Sequence, residues 1–504
     1  MIQLKPLFIV VFMFCSSYSI AQNRNNIWCF GDSSGIDFGS APNPTTFRTS
    51  VVSRGSCASI ADTNGNLLFY SHTRSGIGNG LTTLVFDSTH NLMQNGTYIR
   101  GEAWYHELLI VPNPNTLDQY FLFSTNISSG SGFYYSKIDL SLNNGLGSVI
   151  QKNVILNTLG NADCVTGIKH GNGIDWWVIS KYSNSNLTNY NRFSVFLVTK
   201  DSIYAPIIQD LSNALDIGFQ QLTFNSDGTK LMQTGGTGLM QEINFDRCTG
   251  LLSNPSVIFP EFLTGPYSRY FWSGAYSHDN SKFYSIMYPS LSDTSRVIQF
   301  DLNAVDIPTS ADTILMATDS AILGALSLGP DNKIYISTFY YFGFPGYPFA
   351  DTSFNQYNTN LSVINFPDSA GNACDIQPYS FNLGGSRTYS GLPNNPNYDL
   401  GPVVGSGCDT ITTLAEPIAQ TGANMFVYHD SEWEIAFVNA KNLKGKFGII
   451  SIYDLQGKLV HPSSIPINNG TCTSDVSTQA FSKGMYLVQI LTEKETMSRK
   501  FLVE

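Results

Sequence analysis

The chain has 504 residues, with 38 Asp plus Glu against 27 Lys plus Arg, and a formal net charge of −11 at pH 7. Only 13% of residues are charged, while 13% are aromatic and 43 are Gly, a balance that suits a β-rich protein with many turns and a large core. The acidic balance and the lack of basic clusters exclude nucleic acid and anionic lipid as expected partners, because both need Lys and Arg to neutralise phosphate.

The first element is an address. Lys5 precedes the apolar stretch Leu7 to Phe14, and Ser19-Ile20-Ala21 places small residues at the −3 and −1 positions of a cleavage site. Residues 1–21 therefore read as a secretory signal peptide, cut between Ala21 and Gln22. Cys15 follows the bulky Phe14, where lipid attachment needs a small residue. No other apolar stretch approaches the about 20 residues that span a bilayer, so no transmembrane segment is expected. Removing Cys15 leaves Cys29, Cys57, Cys164, Cys248, Cys374, Cys408 and Cys472. An odd count in an exported chain leaves at least one thiol unpaired or bonded to another molecule. None forms Cys-x-x-Cys or lies near a histidine at metal-ligand spacing, so neither metal nor cofactor is expected.

A turn followed by an aromatic-rich strand then recurs. The turn dyads are Asn64-Gly65, Asp118-Gln119, Asn172-Gly173, Asp227-Gly228, Asp279-Asn280 and Asp331-Asn332, in steps of 54, 54, 55, 52 and 52 residues. Strand-like runs follow them, such as Gln119 to Ser124 (QYFLFS), Lys230 to Gly235 (KLMQTG) and Lys333 to Thr338 (KIYIST), since aromatic and β-branched residues favour a pleated surface. First strands precede the dyads, as in Ser273 to Asp279 and Gly324 to Asp331, and third strands follow, as in Gly132 to Leu140 and Arg296 to Leu302. A period of about 50 residues fits one four-stranded sheet, the blade of a β-propeller.

The ends of the repeat region complete each other. Asn26 to Gly31 and Ser34 to Gly39 look like second and third strands with no first strand before them. Ser390 to Pro396 (SGLPNNP) looks like a first strand with no second strand after it. Joining them in one blade hides both terminal edges. The expected fold is all-β: a seven-bladed β-propeller over residues 24–405, closed by exchange of N- and C-terminal strands. Orphan segments packed outside the ring would leave six blades.

Residues 406–421 have few large apolar side chains and read as a linker. In residues 422–504, Phe447 to Asp454, Leu459-Val460, Gly484 to Leu491 and the tail Arg499 to Glu504 read as strands of a small β-sandwich. The series IYDLQGKLV, DVSTQAFSKGMYLVQI and SRKFLVE resembles the C-terminal type A sorting domain of the type IX secretion system. The family usually begins with a Pro-Asn-Pro turn, and Val427-Tyr428-His429-Asp430 stands in its place. The resemblance implies handling by the type IX secretion machinery and an extracellular or cell-surface location. Upstream, WCFGDSSGIDFG, CASIADTNGNLLFYS, YYSKIDLSLNNGLGSV and SGLPN resemble a group of exported propellers from bacteria using this route. That resemblance covers about residues 27–396 and carries no activity to transfer.

Several motifs mimic chemistry. Phe30-Gly31-Asp32-Ser33 resembles the nucleophile block of SGNH hydrolases, but the sole Asp-x-x-His, Asp87 to His90, comes early in the chain, and a connecting turn explains the block. Asp62 to Asn66 mimics the start of a calcium loop, yet Thr73 stands where such loops carry Glu. Ser226 to Thr229 resembles a sialidase Asp-box without its tryptophan. His170 and His278 flank first hairpin turns and read as rim residues.

Propellers bind at the face formed by the loops entering each blade and those between second and third strands. Here that face collects Trp104 and Tyr105 before the second blade, Tyr270 and Trp272 before the fifth, and an insertion in the sixth with Tyr340 and Tyr341 among nine aromatics from Phe339 to Tyr357. Exposed aromatics beside Asn, Ser and Gly make platforms for a glycan or a peptide. An insertion folded over the ring mouth would instead bury them. The expectation is a non-catalytic binding or adhesion module. The alternatives are a carbohydrate-active hydrolase or lyase using Glu107, Asp163 or Asp216, which needs two carboxyls about 5–9.5 Å apart, and a structural surface-layer part.

Overall fold

The computed structural model describes residues 23–503 apart from 75–79, 103–105, 115, 128–130, 159–160, 183–190, 212–219, 261–269, 289–293, 318–320, 340–352, 410–423, 431–433, 455–457, 469 and 495. The signal cleavage residues Ala21 and Gln22 lie outside this set. The chain divides into two compact units, Met1–Val403 and Val404–Glu504.

In the first unit, residues 108–157, 161–210, 220–259, 270–316 and 322–382 each form one sheet of four antiparallel strands paired in chain order. A sixth sheet, Cys57–Ala61, Leu67–Thr73 and Thr83–Asp87, gains a fourth edge through bridges from Phe86 to Leu92 and Thr83 to Ile99. Every turn dyad sits between the first and second strands of its sheet. Five of the six reverse the chain through positive φ at their second residue, Gly65, Gly173, Gly228, Asn280 and Asn332, residue types that tolerate this conformation. The Asp62 carboxylate caps its own turn, accepting from the amides of Asn64 and Asn66 at 2.8 Å each.

The seventh blade is the composite. Ile27–Phe30, Asp32–Asp37 and Thr45–Val52 supply its second, third and fourth strands. The ladder pairs Phe30 with Ser34, so Gly31 to Ser33 is a three-residue hairpin loop, not a nucleophile elbow. The C-terminal partner differs from a regular strand. Arg387 makes one antiparallel bridge to Asp32, and Asn395 Nδ2 donates to Asn25 Oδ1 at 2.9 Å, so the segment runs beside Ile27–Phe30 without a ladder. Its amides turn to the next blade: Gly391 N–H donates to Arg54 O at 3.1 Å and Asn394 N–H to Cys57 O at 2.9 Å. Pro393 and Pro396 have no N–H to give, which explains the missing ladder.

Polar links cross every joint of the ring. Examples are Glu107 N–H to Ser56 Oγ, Val165 N–H to His106 O, Arg247 Nε to Lys169 O, Gly274 N–H to Gln221 Oε1, Leu326 N–H to Ser273 Oγ, Ser337 Oγ to Ser390 O, and Gly391 N–H to Arg54 O. Between blades the apolar faces stack. At the closure, Trp28, Phe38 and Tyr335 pack edge-on with centroids 5.0 to 5.8 Å apart, and all three are buried.

The second unit is a small sandwich. Asn424–Asp430, Ile435–Lys441 and Cys472–Ser477 form one sheet; Leu459–Pro466, Phe447–Tyr453, Gly484–Thr492 and Thr496–Val503 form the other. Strict alternation along these strands buries Ala436, Val438, Ile450, Ile452, Val488 and Ile490 in a shared core. Cys248 is disulfide-bonded, whereas Cys29, Cys57, Cys164, Cys374 and Cys472 are buried and outside any disulfide.

Candidate functional site

Strands alternate in direction, so the first hairpins of all blades share one face of the ring, and the entering loops share the other. The first strands lie innermost, and their ends converge on the axis. There a cavity of about 690 Å³ opens on the hairpin face. The strands Asn161–Lys169, Gln220–Phe224, Tyr270–Tyr276 and Ile322–Leu328 line it, with residues 392–399 filling the seventh position.

Residues 387–403 cross the axis as a strap. Asn394 Nδ2 donates to Leu108 O at 2.9 Å and Val165 O at 2.8 Å, joining two inner strands. Tyr398 hydroxyl donates to Ile110 O at 2.9 Å and packs edge-on against Trp176. Arg247, buried, donates to Gly401 O at 2.6 Å as well as to Lys169 O, and burial lowers its guanidinium to about 10. The strap thus replaces a seventh inner strand and bars the axis.

The wall carries little charge. Eight asparagines face the cavity, Asn23, Asn25, Asn26, Asn225, Asn332, Asn394, Asn395 and Asn397; Asp399 is its one carboxylate, and no Lys, Arg or Glu contributes among the described residues. His106 lies at its inner end, where burial pushes the imidazole down to about 4 against the opposing hydrogen bond with Asn394, so it is uncharged at neutral pH. Most of the amides serve the fold, as Asn394 and Asn395 do. Other polar groups have no protein partner: the Thr166 hydroxyl, Gln221 Nε2, the Asn26 amide, the Ser327 hydroxyl and the His278 imidazole. Thr166 and Gln221 are each only 7% exposed.

The residues expected on the opposite face are partly placed. Trp104, Tyr105, Tyr340 and Tyr341 lie outside the described residues. Tyr270 and Trp272 occupy one strand and both pack on Tyr288, Tyr270 stacked at 5.4 Å and Trp272 edge-on at 6.1 Å. They are half-buried and lean on the core between blades five and six. The catalytic alternative is also partly placed. Glu107 is fully buried, and its Oε2 accepts from Glu102 N–H at 3.1 Å, away from the cavity lining. Asp216 and the Asp163 side chain lie outside the described set. His278 is an exposed rim residue, as its position beside a hairpin implied. Sequence reasoning missed Thr166, Gln221, Asn26 and Ser327. The signal was present, because aligned first strands carry polar residues at positions that face the axis, but only ring closure brings them together.

Residues 434–504 match the model of the secretion system C-terminal sorting domain. That identifies the second unit's strands from Ile435–Lys441 onward as the sorting element and indicates export to the cell surface or extracellular space. No curated protein matches the chain. Among solved structures, a protein from Lactobacillus plantarum aligns at 12% identity and a TM-score of 0.37, covering 81% of this chain and 99% of that one. A quinonprotein alcohol dehydrogenase-like protein from Bacteroides thetaiotaomicron aligns at 12% identity and 0.37, covering 74% and 79%. The Swd1 β-propeller domain of Myceliophteria thermophila aligns at 8% identity and 0.33, covering 62% and 92%. The propeller assignment here rests on the sheet order itself.

Proposed function

We propose that this protein is a non-catalytic binding or adhesion module, delivered by the type IX secretion machinery and presented outside the cell to a glycan or peptide. The observation that supports this reading most is the axial cavity: rich in uncharged polar groups, built from inner strands, and without a second carboxylate beside Asp399 among its described lining. Acid–base cleavage of a glycosidic bond needs a carboxyl pair about 5–9.5 Å apart. Hydrogen bonding without such a pair suits recognition. Trp104, Tyr105, Tyr340 and Tyr341, which the sequence leads one to expect on the opposite face, are the second surface this reading offers.

The test is a screen of the mature chain on glycan and peptide arrays, run beside a polysaccharide-degradation assay. Saturable binding with no release of reducing ends is expected. Turnover exceeding one product per protein molecule would replace the binding module with the enzyme.

A further inference from the structure

We infer that the axial cavity is a pocket for the end of a neutral oligosaccharide, an inference that rests on the binding-module reading and names its ligand. Thr166 and Gln221 are more than nine-tenths buried, line the cavity, and leave a hydroxyl and an amide Nε2 without a protein partner. Neither atom is sealed from the cavity, so whatever fills that space, water or ligand, supplies its hydrogen bond. Half-buried Asn26 and Ser327 and exposed His278 add unpartnered groups nearer the mouth. Together they present donors and acceptors from five blades to one space, the arrangement that a ring of hydroxyls satisfies.

The chemistry selects against other ligands. With no Lys or Arg on the wall, a phosphate, sulfate or carboxylate would enter without a counter-charge. An extended peptide takes its affinity from the backbone of an open sheet edge. Here the groups left over are side chains, and the strap occupies the position of the seventh inner strand. Phe224, Leu328 and Pro393 interrupt the polar wall with apolar surface for the C–H faces of a sugar. The bridge from Asn394 to Leu108 and Val165 closes the inner end, so a chain end fits and a mid-chain segment does not.

The experiment titrates the full mature protein by calorimetry with cellotetraose, maltotetraose, xylotetraose, mannotetraose and chitotetraose, with sulfated counterparts and uncharged decapeptides in parallel. Two near-isosteric variants probe the pocket. Gln221→Glu keeps the Oε1 acceptor that receives Gly274 N–H at 2.8 Å while replacing the free donor with a charge; Thr166→Val removes only an unpartnered hydroxyl. At least one neutral tetrasaccharide should bind, with Gln221→Glu weakening it about tenfold or more in a chain that circular dichroism shows to be folded, and Thr166→Val about threefold or more at unchanged melting temperature. Binding of decapeptides alone, or sugar binding indifferent to both pocket variants, overturns this inference and leaves the binding module standing. Cleavage of a tetrasaccharide, or no binding by any probe, overturns both.

Discussion

His72 and His106 are buried imidazoles, and desolvation is the main reason that both resist protonation, His72 with a pKa of about 3 and His106 of about 4. Val52 N–H donates to His72 Nε2, a bond that requires the neutral ring. An unfolded histidine titrates near 6.5, so below that pH the unfolded chain binds protons that the folded one refuses. Stability present above about pH 6.5 should therefore drain away as pH falls toward 4 for His106 and toward 3 for His72, on the order of a few kcal/mol in total. Melting temperatures measured from pH 7.5 to 4 should show this decline, and His72→Asn with His106→Asn should flatten it. An unchanged slope in the double variant would assign the acid sensitivity elsewhere. At the closure, a Cβ on Gly391 would strike the backbone of Gly55, and the whole first-strand match SGLPNNP turns on that close approach. Gly391→Ala should cost about 1–3 kcal/mol by overpacking, read from chemical denaturation. No loss would mean that the joint is loose.

At the scale of elements, the composite blade holds two distant segments together with few ladder bonds. Arg387 compensates: its Nε donates to Asp32 Oδ2 at 3.0 Å, its Nη1 to Ser353 O at 3.0 Å, and the guanidinium lies 4.6 Å and 4.8 Å from the rings of Phe354 and Tyr389. It is 4% exposed. Arg387→Met should remove the charged hydrogen bond to a partly solvated Asp32 and destabilise the propeller by about 1–3 kcal/mol. Deleting residues 22–39 should do more, because it strips the second and third strands from the closing blade and bares edges on both neighbours. That truncation should aggregate or fail to fold in size-exclusion chromatography; a monomer with an unchanged melting temperature would refute closure by strand exchange.

At the scale of the molecule, two units with separate cores carry separate tasks. Removing residues 425–504 should leave a folded propeller that stays in the periplasm, since the sorting element lies within the removed segment. Cell fractionation checks this, and efficient appearance of the truncated chain in the medium would contradict it. Blades, hairpin turns and the sorting element were legible in the sequence because each is local: a dyad such as Asn64-Gly65 sets its own turn, and the alternation in Phe447 to Asp454 sets its own buried face. The partnership of the two chain ends was legible as well, since each was an incomplete blade. Two things were not. That Ser390 to Pro396 bonds to Arg54 and Cys57 and then straps the axis depends on carbonyls more than 300 residues away in sequence. That Thr166, Gln221, Asn26 and Ser327 form one pocket depends on ring closure, because each belongs to a different blade. Local residue pattern therefore determined the elements and the route of export, whereas the position of the cavity, its low charge and its closed end were decided by tertiary packing alone, which is where long-range hydrogen bonds are made.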